Sequence, residues 1–231
     1  MLNEIKKELE ALKDSERAEV SAWFFKTGPG QYGEGDVFLG ITVPKMREVA
    51  KKYADLSLFD IQKLLLSKIH EHRFVALVIL VTKYQRAKET EKKKIFDFYV
   101  KNARNVNNWD LVDSSAEYIV GEYLFNRGKI LIYKLARSKN LWDRRIAIVS
   151  TFGFIKRNKF DDTFKISEIL LSDTHDLIHK AVGWMLREVG KRDRDQLEKF
   201  LKKHYSVMPR TMLRYAIERF DSGKRKFYMS K

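Results

Sequence analysis

The chain has 231 residues, 44% hydrophobic and 33% charged, which is enough apolar material for a folded core and lies outside the composition of disordered chains; one domain over residues 1–231 is expected. No cysteine is present, so disulfides, thiolate zinc sites and a cysteine nucleophile are excluded, and a reducing, cytosolic setting fits; the longest apolar run, Val75 to Thr82, is too short to cross a bilayer. Lys plus Arg exceed Asp plus Glu by 15, with net +3 over residues 1–100 and +12 over residues 101–231, which points to a polyanion engaged mainly by the later part of the chain.

Apolar residues recur at i, i+3, i+4 and i+7 in nearly every segment between turn signals, and only Pro29, Pro44 and Pro209 interrupt the chain. The spacing predicts helices at 3–25, 43–53, 57–67, 72–86, 89–103, 109–125, 128–137, 142–157, 161–171, 175–190, 194–204 and 209–219. Ser57 with Asp60 resembles a capping box, Asp161 suits a cap, and Pro44 and Pro209 suit first turns. The one long loop, Thr27 to Asp36, holds four glycines and a proline; it reads as a connector or as a ligand contact. The tail from Ser222 reads as a basic, flexible end. Segments beginning at Arg73, Trp109, Arg144 and Lys180 recur 36, 35 and 36 residues apart, with Ala76, Val112, Ala147 and Gly183 at the fourth position. Such a period predicts an all-α, superhelical solenoid of about six stacked helical pairs with a concave basic face.

Three clusters carry candidate chemistry. Asn108-Trp109-Asp110-Leu-Val-Asp113-Ser opens a helix. In one reading Asn108 or Asp110 caps it and Asp113 only complements the helix dipole; in the other Asp113 is a carboxylate beside an aromatic wall, placed to stabilise positive charge. Trp142-Asp143-Arg144-Arg145 puts two arginines into an apolar helix, where Asp143 pairs with one of them or both meet phosphate. In Lys180-Ala-Val-Gly183-Trp184-Met-Leu-Arg187-Glu188, Gly183 either packs in the core or leaves room beside the indole. His70 and His72 fall on different faces; His175 and His179 stand at i, i+4 without a carboxylate set at ligand spacing, so metal binding is not expected. No phosphate-binding glycine loop, dinucleotide fingerprint or Gly-x-Ser-x-Gly elbow occurs.

Taken together, Phe38-Leu-Gly-Ile41-Thr-Val-Pro44-x-x-Arg47, Trp109-Asp-x-Val-Asp113-Ser, Trp142-x-x-Arg145-x-Ala-Ile and Lys180-Ala-Val-Gly-Trp184-x-Leu-Arg187-Glu188 resemble the AlkD-type DNA alkylation repair glycosylases from about residue 20 to 218. The resemblance implies HEAT-like helical pairs holding duplex DNA in a concave basic cleft, excision of cationic N-alkylpurines such as 3-methyladenine and 7-methylguanine, and no metal or organic cofactor. It casts Asp113 as the catalytic carboxylate, Trp109 and Trp184 as flanking the damaged nucleotide's sugar, and Arg145 as a backbone contact, with Thr42, Arg47, Arg144 and Arg187 as further DNA contacts. A monomer is expected. The Thr27–Asp36 loop is longer and richer in glycine than the family pattern. Two alternatives stand beside this: a non-catalytic HEAT-like protein binding damaged or branched DNA, and a protein-binding scaffold, which would need an exposed apolar concave face instead of a basic one.

Overall fold

Residues 1–230, which the computed structural model describes, form helices joined by turns; among them the only β-pairing is an isolated bridge between Val37 and Ile69. The all-α expectation holds, and helical pairs follow one another in a solenoid-like, HEAT-like arrangement. Packing divides the chain into two units, Met1–Ser115 and the residues from Ala116 onward.

In the first unit, α1 (Leu2–Ala11) and α2 (Ser15–Phe24) replace the single helix expected over 3–25. The break has a local and a tertiary cause. Asp14 caps α2 by accepting the Arg17 amide at 3.0 Å, and its own amide donates to Leu39 O at 2.8 Å. Gly40, at φ +80°, lies so close to the Asp14 carbonyl and Ala18 amide that a Cβ would collide with both. The α3 helix (Val43–Lys52) carries Pro44 in its first turn, and α4 (Leu58–Leu65) is capped by Ser57 Oγ, which accepts the Asp60 amide at 3.1 Å. Both pack on α5 (His70–Arg86), whose Phe74 to Leu77, Ile79 and Leu80 are at most 2% exposed. The buried Glu71 carboxylate accepts the amides of Leu39, Gly40 and Ile41 at 2.9, 2.8 and 3.3 Å, fixing that segment to the head of α5. The α6 helix (Glu89–Lys101) leads through a 3₁₀ turn (Ala103–Asn105) to α7 (Trp109–Asp113).

The helix expected over 109–125 ends at Asp113 because the next residues bond back onto it. Ser115 Oγ donates to Leu111 O at 2.6 Å and contacts the buried Tyr99 hydroxyl at 3.0 Å, a pattern that bends and stops helices. The second unit then begins with a π-helical turn (Glu117–Gly121) running into α8 (Glu122–Leu124). It continues through α9 (Ile130–Ala136), α10 (Leu141–Ser150), α11 (Phe152–Ile155), α12 (Asp161–Ile169), α13 (Asp176–Gly190), α14 (Arg194–His204), α15 (Arg210–Ala216) and α16 (Ser222–Met229). The helix expected over 142–157 is broken at Thr151, where Ser150 and Thr151 hydroxyls donate to Ile146 O and Ile148 O at 2.6 and 2.7 Å. The tail is not a loose end. It forms α16, capped by Asp221 accepting the Lys224 amide at 2.9 Å and anchored by the buried Tyr228. Gly183 is where α13 meets α15: a Cβ there would lie 2.5 Å from both Met212 O and Tyr215 Cβ. The space beside Trp184 at that position is therefore taken by α15, which corrects the reading of Gly183 as room for a ligand.

Candidate active site

In the first unit the short α7 is set down by its two leading polar residues. Asn108, fully buried, accepts the Trp109 amide at 2.8 Å, and Asp110 Oδ1 accepts the Leu111 amide at 2.9 Å. Both residues proposed as caps therefore act as caps. Leu111 and Val112 point into the core, leaving Trp109 and Asp113, four residues apart and so on one helix face, half-exposed. The indole of Trp109 stacks on Phe25 (ring centroids 5.2 Å apart, 13° between planes) and meets Phe24 edge-on at 6.0 Å. Burial raises the pKa of the Tyr99 phenol, its hydrogen bond to Ser115 opposes the shift, and the charge of Asp113 adds to it.

The aromatic stack continues from Phe25 to Phe38 and His70, whose ionic partners no local spacing in the sequence signals. Phe38 stacks on the imidazole at 4.6 Å, with Phe25 at 4.9 Å. The ring is 2% exposed and lies between two carboxylates, with Nδ1 3.2 Å from Asp36 Oδ2 and Nε2 2.8 Å from Asp110 Oδ2. Asp36 also pairs with Arg73 at 2.7 Å and accepts from Asn108 Nδ2 at 3.2 Å. Arg73 Nη2 lies 3.5 Å from His70 Nδ1 as well, but two donors face each other there and its bond is the one to Asp36. Burial alone pushes the His70 pKa down; the charge and hydrogen bond of Asp110 and the hydrogen bond of Asp36 outweigh it and raise it to about 9, with Arg73 opposing. Burial likewise pushes the Asp36 carboxyl up, but His70, Arg73 and Asn108 together hold it below the usual range. The imidazolium thus donates from both nitrogens.

Thr42 precedes α3 in extended conformation without making a side-chain cap, and Arg47 is exposed on α3 with its guanidinium 5.8 Å from the Phe74 ring centre. In the second unit, Trp184 is half-exposed on α13 and meets Phe152 edge-on at 5.7 Å. Lys156 lies over Phe152 and Tyr118, at 4.7 and 5.4 Å, and pairs with the buried Glu117 of the π turn. Burial raises the Glu117 pKa and Lys156 opposes the shift. Arg144 does not pair with Asp143: its Nε is 2.5 Å from Asp173, and Nη1 donates to Ser138 O and Lys139 O, while Asp143 accepts from Ser138 Oγ at 2.8 Å. Arg145 is 5% exposed and donates to Leu177 O at 2.6 Å. Arg187 pairs with Glu218 beside Glu188. Arg144, Arg145 and Arg187 are thus bonded within the fold, and a phosphate at Arg144 or Arg187 would exchange with Asp173 or Glu218. His175 Nδ1 accepts the Leu177 amide at the head of α13, and His179 Nε2 contacts Asp173 O.

The family described as DNA alkylation repair enzyme matches residues 5–220. The chain belongs to this family. A structure described as a predicted DNA alkylation repair enzyme from Enterococcus faecalis shares the fold, with TM-score 0.71 and 19% identity over 91% of this chain and 97% of that one. Among curated proteins no match was found. Membership in the DNA alkylation repair enzyme family assigns the chain a role in DNA repair, with DNA as its substrate. Among the described residues no helix is long and apolar enough to cross a membrane, and no three His, Asp or Glu gather as a set of metal ligands. A half-exposed carboxylate one turn from an indole can stabilise a nearby positive charge, with the negative face of a ring adding to the same field.

Proposed function

We propose that this DNA alkylation repair enzyme is a DNA glycosylase that releases cationic N-alkylpurines, among them 3-methyladenine and 7-methylguanine, from duplex DNA. The observation that carries the reading is the shared face of α7, on which Trp109 and Asp113 stand half-exposed over a core held by Leu111 and Val112. An N3- or N7-alkylated purine already carries positive charge, so the bond from its nitrogen to the anomeric carbon breaks with the electron pair leaving on a neutral base. The sugar becomes oxocarbenium-like. Asp113 stabilises that charge and takes a proton from the water whose oxygen bonds to the anomeric carbon. In the first unit Trp109 flanks the sugar with its ring face and Thr42 and Arg47 serve the DNA backbone; in the second, Arg144, Arg145 and Arg187 serve it as well, contacts that set position without reading sequence. The enzyme acts as a cytosolic monomer, without metal or organic cofactor.

Incubation with a duplex carrying 7-methylguanine, followed by chromatography of the released base, tests the reading. Free 7-methylguanine that appears only with enzyme supports it. Binding of the damaged duplex without release would replace it with a non-catalytic DNA-binding role.

A further inference from the structure

Three segments distant in sequence meet at His70. It is the first residue of α5; Asp36 closes the glycine-rich loop that starts at Thr27; and Asp110 is the second residue of α7. The loop's own bonds are local, from Gly28 N to Gln31, Gly30 N to Glu34 and Gly33 N to Lys26 O. Its exit is pinned where Val37 N donates to Lys68 O and Val37 O accepts the His70 amide, at 3.0 and 2.8 Å. Packing alone does not explain a cation here, because the N-terminus of a helix disfavours positive charge and burial costs a further several kcal/mol per ion. The ring is kept charged by what it holds. Both residues that cap α7 depend on this arrangement: Asp110 uses Oδ1 for the Leu111 amide and Oδ2 for His70, and Asn108 caps Trp109 while donating to Asp36. A five-residue helix has few internal hydrogen bonds, so its direction is set largely by such caps.

We propose that His70 is a positioning residue: by donating from both ring nitrogens, to Asp36 and to Asp110, it sets the entry of α7 and with it the placement of Trp109 and Asp113. The inference deepens the glycosylase reading and rests on it for its catalytic consequence. The groups facing the ring are Asp36 from the loop, Asp110 from α7 and Arg73 from α5, with Phe25 and Phe38 covering it. Loss of the ring proton removes one of the two donors, so the cap of α7 loosens as pH rises past about 9.

Nuclear magnetic resonance of the full chain reads this directly. We expect one histidine, missing from the spectrum of His70→Gln, to keep both ring N–H groups at pH 8, and the amide signals of Trp109 to Asp113 to shift with the same midpoint as its titration. Amides of α7 that ignore that titration, or a His70 ring that is neutral at pH 8, would overturn the proposal. In single-turnover release of 7-methylguanine, His70→Gln should be slower than wild type by about tenfold or more at pH 7, with the gap closing as pH passes the midpoint. Taking the ratio at each pH cancels the substrate's own alkaline chemistry, and a gap independent of pH would indicate a merely structural role. If His70→Gln does not fold, the wild-type titration and the α7 amides decide alone. Absence of release at every pH would strike the glycosylase reading and leave the resonance arm to judge the positioning role.

Discussion

Replacing Gly183 with alanine tests the contact that places Trp184. The new Cβ would lie 2.5 Å from Met212 O and 2.5 Å from Tyr215 Cβ, about 1 Å inside ordinary carbon contact distances. One obstacle is a backbone carbonyl of α15, which cannot rotate away, so the two helices must part by a comparable amount along a seam that buries Val182, Met185, Leu186, Met212, Leu213 and Ala216. Overpacking against a backbone carbonyl falls in the upper part of the usual range, about 2–3 kcal/mol, offset by about 1 kcal/mol of better helix propensity. The net destabilisation is about 1–2 kcal/mol, or a Tm lower by roughly 2–8 °C for a chain of this size. Gly128→Ala is the control, since nothing lies within 4 Å of a Cβ there. Calorimetry of the three proteins reads the result. A Gly183→Ala protein as stable as wild type would mean that propensity wins and that α13 and α15 do not approach this closely.

The charged His70 makes stability depend on pH with a definite sign. Its folded pKa of about 9 exceeds its ordinary 6.5, so its contribution, on the order of 3 kcal/mol, is complete below pH 6.5 and disappears as pH rises through 9. Urea unfolding of wild type should weaken by that order between pH 6 and pH 10, and a flat profile would contradict the charged ring. Arg47, exposed on α3, should on mutation to alanine weaken damaged and undamaged duplex alike with Tm unchanged; selective loss for the damaged duplex would show base readout instead. Arg145→Ala should lower stability as well as DNA binding, because its guanidinium is buried and bonded to Leu177 O. DNA affinity should fall with salt at a log-log slope of about −0.9 per phosphate contact, and an affinity indifferent to salt would exclude a backbone clamp.

Periodicity carried the helical class and the repeat: Arg73, Trp109, Arg144 and Lys180 all fall within the first turn or just beyond it in α5, α7, α10 and α13, and Ala76, Val112, Ala147 and Gly183 are all buried. The interruptions were illegible because they arise from serine and threonine hydroxyls bonding back at Ser115, Ser150 and Thr151, and from Gly40 pressing on the start of α2. Trp109 and Asp113 could be paired by their spacing of four. Arg144 with Asp173 and Arg187 with Glu218 could not, since the partners lie 29 and 31 residues away. His70 escaped for the same reason, its carboxylates being 34 and 40 residues away. A signal was present nonetheless. His70-Glu71-His72-Arg73 leads straight into the apolar run from Phe74, and four polar side chains at the head of a buried helix must find partners.

Whether Asp113 stabilises a cationic sugar is decided by single-turnover release of 7-methylguanine by wild type and Asp113→Asn, with folding checked by circular dichroism and duplex affinity measured alongside. The variant should stay folded, keep most of its affinity, and release base on the order of 10²–10³ times more slowly. Equal rates from two folded proteins would leave Asp113 a half-exposed carboxylate at the end of α7 with no part in the chemistry.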